Sequence, residues 1–248
     1  MQPAPLAAID PFYALTRAGD ASIEPAIASA LAELDRFGVE RAGIGVDGDP
    51  ELARAALASH PGRFFARCEV DPRGGRDELR RLERLARELP LRAVTASPAR
   101  LFLPIDDKLF YPVFAKCVEL DLPICPRLGV PAERVPFSPQ KLERIDEVAW
   151  FFPELRIVMR DGCEPWQALA VLLMRKYPNL SYATSALPPS EIPAEVVAFA
   201  NEDGAHQVLF ASSEPRERAY KELPELGLSR PVWPRFLREN AARLFRLS

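Results

Sequence analysis

Short apolar runs alternate with longer amphipathic segments along almost the whole chain. Eight runs are nearly continuous in apolar or β-branched residues, which is typical of strands that are buried on both faces of a sheet. These predicted strands cover residues 5–9, 41–46, 64–70, 92–96, 122–125, 156–160, 180–184 and 207–212. Segments of helical periodicity separate them, so the pattern predicts a parallel sheet with helices outside it.

Start signals and leucine spacing support the predicted helices. Asp49 precedes Pro50, a combination that predicts an N-cap and a first helical residue. Ser138 and Pro139 repeat this combination ahead of another helical segment. A third segment has leucines three or four residues apart, which predicts a buried helix face made of Leu79, Leu82, Leu85 and Leu89.

The number of strands decides between two α/β architectures. Eight strand–helix units favour a closed, distorted (β/α)₈ TIM barrel over an open doubly wound sheet. The length of 248 residues fits one domain over residues 1–248, with an extra C-terminal helix at 233–247. In either architecture, functional side chains are expected at the carboxyl ends of the strands.

Composition excludes several classes of protein. The 32 Lys and Arg are balanced by 35 Asp and Glu for a net charge of −3, which provides no basic field for nucleic acid. No apolar run approaches the ~20 residues needed to cross a membrane, and no signal peptide is evident. We therefore expect a cytoplasmic protein with reduced thiols at its four cysteines: Cys68, Cys117, Cys125 and Cys163.

Six stretches around the predicted strand ends resemble the amidohydrolase-2 family, which includes decarboxylases related to aminocarboxymuconate-semialdehyde decarboxylase. The resemblance runs from about Ile9 to Leu247. It implies a distorted TIM barrel with one divalent metal, usually zinc or manganese, that cleaves C–N, C–O or C–C bonds. The stretches are HPGRFFARCEVDP, DDKLFYPVFAKCVELDLPIC, FFPELRIVMRDGCEPW, RKYPNLSYATS, GAHQVLFASSEP and ENAARLF.

Other residues stand at the metal-ligand positions of that family. The resemblance implies His-x-His after the first strand, His after the fifth and sixth, and Asp after the eighth. In this chain the same positions hold Phe12, Ala14, Arg127, Asp161 and Ser213. Arginine brings a fixed positive charge to the place of a cation, so we expect neither a metal nor another cofactor. The two histidines, His60 and His206, lie on connections that lead into strands.

The charged residues at these strand ends allow two interpretations. Arg127 and Asp161 predict either an ion pair that fills the vacated metal site or, together with Arg160, a pocket for a small acidic ligand. In the second case Asp161 and Arg127 are the catalytic candidates, with Asp161 as acid or base. The candidate ligand-binding residues are then Arg127, Arg160, Asp161, Thr95, Ser213 and Glu214.

Three further interpretations are weaker. Ser212 and Ser213 form a candidate nucleophile pair, but no histidine stands at a strand end to act as base. Cys163 beside Arg160 could have a lowered pKa, although a buried, unreactive thiol is the simpler interpretation. Three acidic residues could also bind a hard cation through their oxygens: Asp10, Asp161 and Glu214.

The leading hypothesis is therefore a catalytically degenerate, metal-free barrel that serves as a non-catalytic or accessory subunit. The resemblance implies a homo- or hetero-oligomer, with an active amidohydrolase homologue as the candidate partner. One competing hypothesis is a metal-independent hydrolase, decarboxylase or lyase that uses Arg127, Arg160 and Asp161 on a small acidic or aromatic substrate. Another is a small-molecule binding protein.

Overall fold

Eight parallel strands curl into a TIM barrel in the computed structural model, which describes residues 7–17, 22–212 and 216–247. The sheet order follows the chain from β1 to β8, and every predicted strand overlaps an observed one. The predicted barrel is therefore confirmed. The strands are β1 (Ala8–Asp10), β2 (Val39–Gly45), β3 (Phe64–Glu69), β4 (Leu91–Ala96), β5 (Ile124–Pro126), β6 (Ile157–Met159), β7 (Leu180–Ala183) and β8 (Val208–Leu209).

Ten α-helices lie between and after the strands in the described ranges. They are α1 (Ile23–Arg36), α2 (Pro50–Ser59), α3 (Gly75–Glu88), α4 (Pro98–Leu101), α5 (Tyr111–Glu119), α6 (Ile145–Phe151), α7 (Gln167–Lys176), α8 (Ala194–Asn201), α9 (Arg216–Glu222) and α10 (Asn240–Leu244). The helical segments identified from the sequence did not include α1, α4, α5 and α9. Within the described residues, no helix is both long and apolar enough to span a membrane.

The two predicted helix starts have different outcomes. The Asp49 carboxylate accepts a hydrogen bond from the amide of Leu52 at 3.1 Å, so this N-cap is confirmed. Ser138 is not a cap, because Ser138–Gln140 forms a separate 3₁₀ turn and α6 begins only at Ile145. The carbonyls of this turn bond to neighbouring loops, with the amides of Ile105 at 3.3 Å and Gly129 at 3.0 Å, instead of continuing a helix.

Two layers of apolar side chains hold the barrel together. The first lies between the sheet and the helices and includes Leu82 and Leu85, with Leu79 and Leu89 packed at its edge. The second lies inside the barrel and takes one residue from each strand except β2, together with residues of α10 and its C-terminal end: its strand members are Ile9, Phe65, Ala93, Cys125, Val158, Ala183 and Leu209.

Strand β2 contributes Gly43 to the interior layer. A Cβ atom at Gly43 would lie 2.3 Å from the Pro11 carbonyl oxygen and 2.7 Å from the ring of Phe65. The interior is therefore already filled at this point. Only glycine at position 43 allows the backbone that follows β1 to lie so close to β2.

The seam between β8 and β1 is closed by side-chain and helix contacts. In the described part of the chain these two strands share no ladder. Instead, the fully buried Asp10 carboxylate accepts hydrogen bonds from the Ser212 amide, at 3.4 Å, and from the Ser212 hydroxyl. The amide of Phe210 donates to the carbonyl of Phe236 at 2.8 Å, in the π-helical turn Arg235–Glu239 that leads into α10. The first and last strands are thus joined through Asp10 and the C-terminal helix.

Candidate functional site

An aromatic ring occupies the barrel axis at the carboxyl ends of the strands, a region called the barrel mouth below. Phe12 is buried, and its ring meets Phe245 edge to face with the ring centroids 6.1 Å apart. Phe245 in turn packs against Phe65 at 5.8 Å. On the side facing the mouth, the guanidinium carbon of Arg160 lies 4.2 Å from the centroid of the Phe12 ring. A cation–π contact therefore caps a column of three phenylalanines.

Arg127 and Asp161 form an ion pair beside this column. Their strands are neighbours, and Arg127 and Arg160 form a parallel bridge just beyond the ends of β5 and β6. The Arg127 Nε donates to the Asp161 carboxylate, and its second donor lies 2.8 Å from Glu133. Asp161 also accepts a hydrogen bond from the Ser185 hydroxyl at 3.2 Å.

The surroundings of Asp161 favour its charged form. Burial by itself would raise the pKa of this carboxyl, but the guanidinium groups of Arg160 and Arg127 together lower the pKa below its ordinary value. The hydrogen bond from Arg127 similarly lowers the pKa of Glu133, to about 2. At neutral pH Asp161 is therefore an ionised and fully engaged carboxylate.

The donor set at the mouth does not fit a divalent metal. Of the family ligand positions in the described ranges, only Asp161 offers a ligand atom. Its carboxylate is already paired with the Arg127 guanidinium. Phe12 fills the axis beneath a guanidinium, and Ala14 is exposed. No group of three or more His, Cys, Asp or Glu in those ranges is placed to hold a metal ion. Zinc and manganese sites need imidazole, thiolate or carboxylate ligands without a competing cation.

The other residues considered in the sequence analysis lie in different parts of the structure. Thr95 is buried, and its hydroxyl donates to the Cys68 carbonyl at 3.2 Å, so it bonds within the sheet. Ser213 and Glu214 lie outside the described residues. His60 and His206 precede β3 and β8, at the opposite end of the barrel from the mouth.

The simpler interpretation of Cys163 as a buried, unreactive thiol is confirmed, and the alternative of a lowered pKa is contradicted. The thiol is fully buried, and burial raises its pKa, an effect that the neighbouring Asp161 charge reinforces. Cys125 also lies inside the barrel, where burial raises its pKa to about 12. Neither thiol is set up as a nucleophile.

One residue of the mouth, Arg67, was absent from the sequence-based candidates. It lies in β3, and its guanidinium reaches the carbonyls of Gly43 and Tyr13 at 3.4 and 3.3 Å. Burial, followed by the charge of Arg160, lowers the pKa of Arg67 to about 10. The signal that could have revealed it is the strand period of two, which places Arg67 on the same face as the interior Phe65.

A cleft with a volume of about 790 Å³ opens above the ends of the first three strands. Arg67 and Glu69 from β3 line one side of it, and Arg17 and Asp49 line the other. Arg17 and Asp49 are paired at 2.6 Å, whereas the Glu69 carboxylate forms no hydrogen bond or ion pair within the described residues. The volume suits a small molecule.

A glycine-rich stretch borders the same cleft but does not form a phosphate loop. Residues 43–48 match the spacing G-x-G-x-x-G, which marks dinucleotide sites when it opens a helix. Here Gly43 and Gly45 belong to β2, and Asp49 already caps the start of α2. The carboxylates of Asp47 and Asp49 at this helix end would repel a phosphate.

The amidohydrolase family model (Amidohydro_2) matches residues 11–247. A search of the curated proteins found no match to the sequence. Among solved structures, an uncharacterised TIM-barrel protein from Bordetella bronchiseptica aligns with a TM-score of 0.75 and 21% identity, over 90% of this chain and 84% of the other.

Two decarboxylases are also similar in structure. The 5-carboxyvanillate decarboxylase from Sphingomonas paucimobilis aligns with a TM-score of 0.73 and 18% identity, over 98% of this chain and 100% of the other. The 5-carboxyvanillate decarboxylase from Novosphingobium aromaticivorans aligns with a TM-score of 0.72 and 15% identity, over 97% of this chain and 96% of the other. That structure is a complex with manganese and 4-hydroxy-3-methoxy-5-nitrobenzoic acid. At these identities the likeness shows a shared fold.

Proposed function

We propose that this chain, which belongs to the amidohydrolase-2 family, is a metal-free and catalytically degenerate member of it. One observation carries the proposal: the Phe12 ring fills the barrel axis beneath the Arg160 guanidinium. A divalent cation at the mouth would have to displace a buried aromatic ring and withstand a fixed positive charge. The adjacent carboxylate, Asp161, is already neutralised by Arg127.

Metal analysis of the purified chain tests this proposal directly. After expression in medium supplemented with zinc and manganese, we expect metal far below stoichiometric levels by plasma mass spectrometry. The manganese-containing 5-carboxyvanillate decarboxylase from Novosphingobium aromaticivorans, purified in parallel, is the positive control. We also expect no turnover of 5-carboxyvanillate by this chain. Stoichiometric metal that is lost in an Asp161→Ala variant would overturn the proposal.

A metal-independent enzyme built on Arg127, Arg160 and Asp161 is less well supported. A general base is most effective when its pKa lies near the working pH, and the pKa of Asp161 is lowered instead. An ionised carboxylate cannot act as a general acid. The ion pair therefore favours a structural role for Arg127 and Asp161.

We further propose that the barrel serves as the non-catalytic subunit of an assembly with an active homologue. Support comes from the contrast between a complete eight-stranded scaffold and a mouth whose described residues include no group of three or more metal ligands. Native mass spectrometry of the chain co-expressed with a homologue that has all metal ligands tests this role. A mixed oligomer with higher activity than the homologue alone is expected, and two separate species with unchanged activity would refute it.

A further inference from the structure

The outer wall of the barrel carries an exposed apolar surface where α5 lies between α3 and α6. Trp150 and Phe151 are neighbours at the end of α6 and are 65% and 53% exposed. The centroid of the Phe151 ring lies 5.8 Å from that of Tyr111 at the start of α5. Three exposed apolar residues continue this surface along α5 and the turn before it: Leu109, Pro112 and Ala115. A contiguous apolar surface marks an interaction site, whereas single exposed apolar residues do not.

The α3 side of this surface is basic. Four exposed arginines recur every three or four residues, which places them on one helix face: Arg76, Arg80, Arg84 and Arg87. Glu83 lies one turn from both Arg80 and Arg87. It pairs with Lys116 of α5 at 2.6 Å, so the basic face borders α5. Arg80 pairs with Asp77 of its own helix, whereas the other three arginines form no ion pair in the described part of the chain.

The α6 side is acidic. Glu147 is exposed, and its carboxylate accepts a hydrogen bond from the Tyr111 hydroxyl at 3.1 Å. Glu154, which follows the end of α6, is exposed and has no ion pair within the described ranges. Two other carboxylates of this region have lysine partners: Asp146 with Lys176 at 2.7 Å, and Glu143 with Lys141 at 3.6 Å. Helix α5 is therefore flanked by an excess of positive charge on one side and of negative charge on the other.

A two-fold axis through α5 makes such a surface complementary to itself. A half-turn about an axis normal to the barrel wall places α3 of one copy opposite α6 of the other, and the same contact recurs across the axis. Arginines of one copy then face the carboxylates and the Trp150 ring of the other, which allows ion pairs and cation–π contacts. Ala115 lies near the middle of α5 on its exposed face, where a small side chain lets the two α5 helices approach closely.

We propose that the face formed by α3, α5 and α6 is an interface between two copies of this chain. A basic partner would match only the α6 side and an acidic partner only the α3 side, whereas a second copy matches both. Three neighbouring helices span about 30 Å with their side chains, and the 14-residue α3 is about 21 Å long. The footprint of about 600 Å² per copy is at the low end of specific interfaces, so we expect a dimer that dissociates at micromolar concentrations. The inference goes beyond the proposed function, since it depends neither on metal content nor on a homologue.

Sedimentation velocity of the purified full-length chain over a micromolar concentration series tests the interface. We expect a monomer–dimer equilibrium whose dissociation constant rises with salt, because salt screens the charges on both sides of α5. Ala115→Glu should raise the dissociation constant about tenfold or more, because two carboxylates then meet at the axis. Ala58→Glu, at an exposed alanine of α2, is the matched control and should leave the dissociation constant unchanged.

A pair of charge reversals tests the two-fold arrangement itself. Arg84→Glu and Glu147→Arg should each weaken the dimer, because each sets like charges against each other across the axis. The double variant should recover affinity, since both sides are then reversed together. Arg230→Glu, at an exposed arginine outside this face, is the control for charge reversal. Double-variant affinity no higher than that of the single variants would overturn the arrangement.

The remaining outcomes also decide the inference. A monomer at every concentration, or a dimer that Ala115→Glu leaves intact, would overturn it. A chain that is monomeric alone but joins a co-expressed homologue through this face would also overturn it, because the occupant is then not a second copy. Circular dichroism and the melting temperature show whether each variant is folded. Metal content decides the proposed function separately, so either proposal can fail while the other holds.

Discussion

The carboxylate of Asp10 is expected to hold the β8–β1 seam of the barrel closed. It accepts hydrogen bonds from the Phe12 amide at 3.2 Å and from the Ser212 hydroxyl, and longer ones at 3.4 Å from the Ser212 amide and the Tyr220 hydroxyl. Bonds of 3.4 Å contribute little, so the first two dominate. Leaving a buried donor without its acceptor costs about 1–3 kcal/mol. Asp10→Ala should therefore lower the free energy of unfolding by about 2–4 kcal/mol.

Urea unfolding monitored by circular dichroism measures this loss, with an unchanged m-value expected for an intact fold. In a domain of this size, each kcal/mol corresponds to a decrease of about 2–4 °C in melting temperature. Asp203→Ala removes an exposed carboxylate and is the matched control, expected to stay within about 0.5 kcal/mol of wild type. A loss below about 1 kcal/mol in Asp10→Ala would refute the role of this carboxylate in closing the seam.

The same residue predicts a pH dependence with a definite sign. Burial raises the pKa of Asp10 above its ordinary value of 3.8, so the native protein retains a proton that the unfolded chain has released. The stability contributed by this group is thus complete below about pH 3.8 and declines as the pH rises through the native pKa. The stability advantage of wild type over Asp10→Asn should shrink from about pH 4 upward. An advantage that grows with pH would contradict the assignment.

Three other predictions concern the interior and the mouth. Gly43→Ala should lower the free energy of unfolding by about 1–3 kcal/mol, because its methyl group would overlap the Pro11 carbonyl, whereas Gly62→Ala has open space and should be neutral in the same urea assay. A double-mutant cycle of Arg127→Met and Asp161→Asn should give a coupling of about 1–3 kcal/mol, and a value near zero would show that the pair does not stabilise the fold. The buried thiols should react with an aromatic disulfide reagent only after unfolding, and rapid reaction in the native state would contradict the burial of Cys68, Cys117, Cys125 and Cys163.

The sequence by itself determined the order and type of the strands and several helices. Each strand is a run of a few apolar residues, and the Asp49 cap depends only on the residues that follow it, so both features are encoded locally. The sequence also predicted that Arg127, Arg160 and Asp161 lie at the mouth, because they stand at the ends of predicted strands. Their location follows from the rule that the carboxyl ends of parallel strands meet at one end of the barrel.

Only the tertiary structure decided which of these side chains pair and what fills the barrel. Asp10 and Ser212 are 202 residues apart in sequence, and their contact depends on how the last strand returns beside the first. Arg67 lies within a strand, so its place beside the cleft and its contact with the Tyr13 carbonyl emerged only from the tertiary structure. The wrong prediction of a helix cap at Ser138 has the same cause. Amides of neighbouring loops donate to carbonyls that would otherwise accept hydrogen bonds within a helix. Local periodicity fixes elements, whereas contacts across the barrel depend on the curvature and register of all eight strands.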